Sequence, residues 1–167
     1  MTIVVEDGTG LSNANAYVSV AAADTYFSDL NNASWTGSTA VKEAAIRKAT
    51  KYLDATYNWI GTILSTTQAL NWPRTGVTDS QGRDLEDQVP QAVVDACCEL
   101  ALLSFTDDLV NVTSNSDYIK REKVGELEVE YADGAPIDRE YRYVDRLLAG
   151  LFNSKSGGSN TVKLARV

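Results

Sequence analysis

The segment from Lys120 to Asp133 constrains the fold more than any other part of the chain. Lys120, Arg121 and Lys123 precede Val124-Gly125, after which Leu127, Val129 and Tyr131 alternate with Glu126, Glu128 and Glu130. Alternation with a period of two marks a strand with one face against a core. A two-residue link ending in Gly125 permits a tight reversal, so a β-hairpin is expected at about 118–131. Its basic arm would face its acidic arm across the ladder, at roughly 0.2–1 kcal/mol per opposite pair.

Elsewhere the pattern is helical. Residues 3–5 suit a short strand or an extended lead-in, closed by Asp7-Gly8-Thr9-Gly10. Ser19 is the expected N-cap of a first helix to about Leu30, with Val20, Ala23 and Phe27 at helical spacing and Asn31-Asn32-Ala33-Ser34 ending it. Ser38 or Thr39 caps a second helix to about Trp59, on which Ile46, Ala49, Leu53 and Tyr57 share a stripe and Lys42, Arg47, Lys48 and Lys51 decorate the outside. Pro90 suits the first position of a third helix, whose stripe is Val93, Cys97, Leu100 and Ala101. Pro136 is expected to open a fourth, with Ile137, Tyr141, Val144, Leu148 and Leu151 recurring at steps of four and three. The fold class this implies is mainly α: a four-helix bundle-like domain with one β-hairpin inserted before the last helix.

Two stretches stand apart. From Gly61 to Gln88 periodicity vanishes, and a loop of that length is functional or disordered more often than incidental. It contains Trp72-Pro73-Arg74, so part of it should be anchored. Trp72 is either a plug into the chain's own core or, with Arg74, an anchor at a partner surface, since Trp and Arg are enriched at interface hot spots. The domain is expected to span 1–152, followed by a flexible basic arm over 153–167. That arm joins a Gly/Ser-rich linker to alternating Val162, Leu164 and Val167, and carries Lys155, Lys163 and Arg166 and no acid.

Composition excludes several classes of function. The 167 residues suffice for one core. No run approaches the roughly 20 apolar residues of a membrane span, and no signal peptide is visible, so the chain is expected to be made in the cytoplasm. Histidine is absent, which removes the commonest general base and metal ligand together. Cys97 and Cys98 are adjacent on a helix, where a disulfide between them is geometrically unfavourable, and they read as buried small hydrophobes. Asp79, Asp84, Glu86 and Asp87 lack the spacing of a helix-flanked calcium loop and read as a solvated acidic loop. With no phosphate loop, nucleophile elbow or CxxC pair, no enzyme and no cofactor are expected. Residues 1–152 hold 12 basic and 23 acidic residues, a charge of −11 that repels a phosphate backbone.

The order of helices, a Lys-Val-Gly-Glu-Leu-Glu-Val-Glu-Tyr hairpin (123–131) and a closing helix resembles the head–tail connector, or adaptor, proteins of tailed bacteriophages. Val4-Val5-Glu6-Asp7-Gly8-Thr9-Gly10 and Gln68-Ala69-Leu70-Asn71-Trp72-Pro73-Arg74-Thr75-Gly76 are similar to segments of phage proteins labelled DnaT-like single-stranded-DNA-binding. The resemblance, from about residue 3 to 152, implies a structural subunit in the virion. Copies would form a ring, of 12 subunits in the expected case, under the portal protein. The ring would extend the DNA channel and dock the next neck or tail-completion protein, with DNA passing through unbound. On this reading Trp72, Arg74, Leu127, Val129 and Tyr131 serve subunit or partner contacts. The arm residues Lys155, Thr161, Val162, Lys163, Leu164, Arg166 and Val167 bind the portal. The alternative is a DnaT-like single-stranded-DNA-binding protein, against which the acidic body and the lack of interleaved basic and aromatic residues argue.

Overall fold

The computed structural model describes residues 2–106, 109, 121–124, 127–130 and 141–156, and for 121–124 and 127–130 the backbone alone. The chain divides into two compact units, Met1–Leu109 with Tyr141–Val167, and Val110–Glu140.

In the larger unit, α1 (Val20–Asp29) starts where the Ser19 hydroxyl accepts the Ala22 amide at 3.0 Å. It ends at Asn31, whose φ of 51° lies in the left-handed region that asparagine tolerates. Next, α2 (Thr39–Thr56) is capped by Ser38, which accepts the Val41 amide. A further helix, α3 (Gln91–Leu103), follows Pro90. The main packing is α2 against α3. Ile46, Ala49, Thr50 and Leu53 of α2 and Val93, Ala96, Cys97, Leu100 and Ala101 of α3 are all fully buried. Alanines on both helices let the two backbones come close, and Trp35 fills the far end, stacked between Phe27 and Phe105 at 4.9 Å from each.

The architecture is a mixed α/β domain, and the expected four-helix bundle-like, mainly α fold is corrected on three counts. First, α2 stops at Thr56, and Tyr57–Trp59 form β1. Apolar spacing runs on through Tyr57, but β1 pairs antiparallel with β6 (Phe152–Lys155), a partner nearly a hundred residues away. Second, β2 (Thr62–Ile63) pairs with β3 (Arg74–Thr75) across the supposedly irregular loop. Gly61, in the link from β1 to β2, lies against β3: its φ is +69°, and a Cβ there would lie 2.4 Å from the Thr75 carbonyl oxygen. Third, among the described residues the last helix, α4, is Arg142–Leu147, and Tyr141 before it (ψ 74°) and Leu151 after it are not helical. Val144, Leu148 and Leu151 are buried as their spacing suggests, while Pro136 and Ile137 lie outside the described residues.

In the smaller unit, β4 (Arg121–Val124) and β5 (Leu127–Glu130) form an antiparallel pair, as the alternation predicts. Arg121 is opposite Glu130 and Lys123 opposite Glu128, the basic-to-acidic register expected. The link differs by one residue. Val124 pairs with Leu127, so Val124 belongs to β4 and not to the Val124-Gly125 link that was expected.

Candidate functional site

The segment Asn71–Thr75 is where the sequence concentrates its interface-type residues, and the structure turns them inward. Trp72 is fully buried, edge-on to Trp59 at 5.7 Å. Of the two expectations for Trp72, the plug into the chain's own core is the one realised. The Trp72–Pro73 peptide is cis. Arg74 is 9 % exposed, and its guanidinium donates to three backbone carbonyls: Nε to Ile60 (2.6 Å), Nη1 to Asn71 (3.0 Å) and Nη2 to Gly61 (2.8 Å). A planar fork with five donors suits this task as a lysine would not. Arg74 thereby ties the end of β1 to the start of β3.

A second network holds the segment from below. The Tyr17 hydroxyl donates to Asp54 Oδ1 and accepts the Trp72 amide at 3.2 Å. Asp54 Oδ2 accepts the Asn71 amide at 3.2 Å, and the Asn71 side chain donates to the Asp54 carbonyl at 3.0 Å. Burial pushes the Asp54 carboxyl up to about 6, against the opposing pull of the Tyr17 and Asn71 hydrogen bonds. Burial likewise raises the Tyr17 phenol well above its ordinary value. These groups order the loop. Cys97 is buried with Sγ 3.6 Å from the Thr50 hydroxyl, and burial raises its thiol to about 12, which leaves no thiolate for chemistry.

The N-terminal glycine loop is also closed from within. Glu6, only 4 % exposed, accepts the amides of Gly8 (3.1 Å), Gly10 (2.9 Å) and Leu11 (2.9 Å). Converging amides of this kind can bind an anion, and here the chain supplies its own carboxylate.

On the surface, the loop 79–88 is acidic, as expected, and internally braced. Asp79 accepts from the Arg83 side chain at 2.6 Å, and Asp84 pairs with Thr78 across an isolated antiparallel bridge. Beside it lies a groove of about 410 Å³ with Leu85, Ala92, Leu147 and Leu151 in its wall and Asp79 and Asp84 among its lining. Two further grooves, about 300 and 590 Å³, border α2.

Lys155, expected in the flexible arm, belongs to β6: it donates to Asp145 Oδ2 at 2.6 Å and sits over the Tyr57 ring. Asp145 also accepts the Tyr57 hydroxyl at 2.6 Å, so one carboxylate joins α4, β1 and β6. Ordered chain thus continues past the expected start of the arm, and Ser156 donates its amide to the Thr56 carbonyl at 2.7 Å. Leu127 and Val129 are placed on β5 by backbone alone. Tyr131, Thr161, Val162, Lys163, Leu164, Arg166 and Val167 lie outside the described residues. Sequence reasoning missed Tyr17, Asp54 and Glu6, single polar residues whose partners come from distant segments.

No curated protein and no solved structure matches the chain. A family model does, over residues 1–167, under the description "Putative DnaT-like ssDNA binding protein". The chain belongs to that family.

Proposed function

We propose that this chain is a non-enzymatic structural subunit that assembles with copies of itself and with neighbouring proteins, in the manner of a phage head–tail connector. On this reading a ring under the portal extends the DNA channel and docks the next neck or tail protein. The supporting observation is how the chain uses its aromatic and cationic side chains. Trp35, Trp59, Trp72 and Arg74 are all buried in the subunit, and the net charge is −8. Binding single-stranded DNA calls for stacking platforms beside a cationic groove on the surface. A channel wall that DNA must pass calls for the reverse. Negative-stain microscopy of mixtures with the portal protein tests this: decoration of the portal by a ring is expected, and bare portals at every ratio would sink the connector role.

The second reading, single-stranded-DNA binding, is favoured by the family's description and by one surface feature. Tyr143 is 59 % exposed and lies between Arg142 and Arg146 in sequence. A filter-binding titration with oligonucleotides at low salt separates the readings. Tight binding that falls steeply with salt would favour this one.

A further inference from the structure

We propose that the outer stripe of α2 docks, in a second copy of this chain, onto the acid-rimmed groove beside the loop 79–88. The proposal rests on the assembly reading above and names its contact surfaces.

Positive charge is sparse over residues 1–109, the larger unit's remaining cations being Arg142, Arg146, Lys155, Lys163 and Arg166 in 141–167. Residues 1–109 contain six basic side chains, and four of them, Lys42, Arg47, Lys48 and Lys51, lie on α2. The other two are engaged, Arg74 with backbone carbonyls and Arg83 with Asp79. On α2 itself Lys42 pairs with Asp24 at 2.8 Å, and Arg47 lies 3.9 Å from Glu43. Lys48 and Lys51 are exposed, and among the described residues neither has a salt-bridge partner.

Those two lysines fall on one line. Val41, Ala44, Lys48, Lys51 and Ala55 follow one another at steps of three and four, which places them on a single helix face. Val41 is 50 % exposed, and the alanines leave room for close approach. The stripe is therefore small and apolar, with cations at its middle, and a groove borders it at either end.

The groove beside the loop 79–88 has the complementary character. Leu85, Ala92, Leu147 and Leu151 line its wall; on its rim Arg83 offsets Asp79, and Asp84, with Glu86 and Asp87 exposed next to it, leaves the rim net negative. The rim is set before any partner arrives. Asp79 accepts the Gln81 and Arg83 amides at 2.8 and 2.9 Å, and the Leu85 amide reaches the Val77 carbonyl at 3.0 Å. A preordered loop loses little entropy on docking. The stripe and this groove share no residue, so joining them is a head-to-tail contact. Such a contact closes into a ring where the rotation permits. Opposite charges across it would fix register and make the association salt-sensitive.

Charge exchange tests this by sedimentation equilibrium at low salt. The two variants are Lys48→Glu with Lys51→Glu, and Asp84→Lys with Gln88→Lys. Each alone should self-associate about ten-fold more weakly than wild type or worse. Their equimolar mixture should recover, because each supplies the surface the other needs. Recovery would also show that both variants fold. If both assemble like wild type, this contact is wrong while the assembly reading stands. Failure of two variants with native circular dichroism to rescue each other would also overturn it. So would Lys48→Glu with Lys51→Glu assembling normally but losing a labelled single-stranded oligonucleotide, which would make the stripe a nucleic-acid face. Wild type that stays monomeric at every concentration, with or without portal, would remove the proposal together with the assembly reading.

Discussion

Tyr17 and Asp54 form the hydrogen bond from which the tryptophan segment hangs: the phenol donates to Asp54 Oδ1 while its oxygen accepts the Trp72 amide at 3.2 Å. Tyr17→Phe removes both interactions and leaves a buried amide and a carboxylate short of a partner. We expect a loss of about 2–3 kcal/mol, read as a lower urea midpoint with unchanged slope. A loss below about 0.5 kcal/mol would show that the segment is held by packing alone.

Asp54 should give the fold a distinctive pH dependence. Its carboxyl is raised from 3.8 to about 6, so the folded state binds the proton more tightly than the unfolded chain. Its contribution is therefore greatest below the ordinary value and is lost as pH rises from about 4 to about 6. The loss is at most about 3 kcal/mol, because the carboxyl borders an open groove. Asp54→Asn should abolish this slope. Urea midpoints of wild type minus variant should fall across that window and level off above it. A difference independent of pH would contradict the assignment.

Arg74 should matter to folding and not directly to assembly. Arg74→Met keeps the apolar stem but strands the carbonyls of Ile60, Asn71 and Gly61, at a cost of about 3 kcal/mol. Thermal unfolding should report the loss, whereas self-association under conditions where the variant is folded should match wild type. Assembly lost at full stability would return Arg74 to an interface role.

Glu6 is expected to carry the N-terminal loop. Glu6→Ala leaves three amides without their acceptor and should cost about 2–3 kcal/mol. Glu6→Gln, which keeps one acceptor oxygen, should cost less. Hydrogen exchange at Gly8, Gly10 and Leu11 would rise in the order wild type, Gln, Ala. Equal exchange in all three would rule out this role.

The legible parts of this fold are the ones written in local pattern. The Ser19 cap, the choice of Ser38 or Thr39 for the second, the start of α3 to within one residue (Pro90 precedes the first helical position instead of filling it) and the charge register of β4 with β5 follow from neighbouring residues. Tyr57 shows where local pattern fails. It continues the apolar spacing of α2, yet it turns extended because Lys155 and Ser154 lie alongside to complete its ladder. For Trp72 and Arg74 local sequence leaves core plug and partner anchor equally open; Trp59 beside the indole and the carbonyls of Ile60 and Gly61 at the guanidinium, all from another segment, decide it. The cations of α2 read as decoration for the same reason. Lys48 and Lys51 stand out only once Arg74, Arg83 and Lys42 are seen to be occupied.

Cutting after Ser156 separates the domain from the arm. Ser156 donates to the Thr56 carbonyl, so the domain's own contacts reach at least that residue. Deleting 157–167 should leave the unfolding midpoint unchanged and, on the connector reading, abolish attachment to the portal. Wild-type occupancy of the truncated protein on portals would strip the arm of that role.

Sedimentation velocity of the full chain with a dye-labelled single-stranded oligonucleotide at low salt tests assembly and the absence of DNA binding at once. The protein should sediment as a closed oligomer of the 18.1 kDa subunit while the dye stays slow. Dye travelling with a protein that remains monomeric would contradict both.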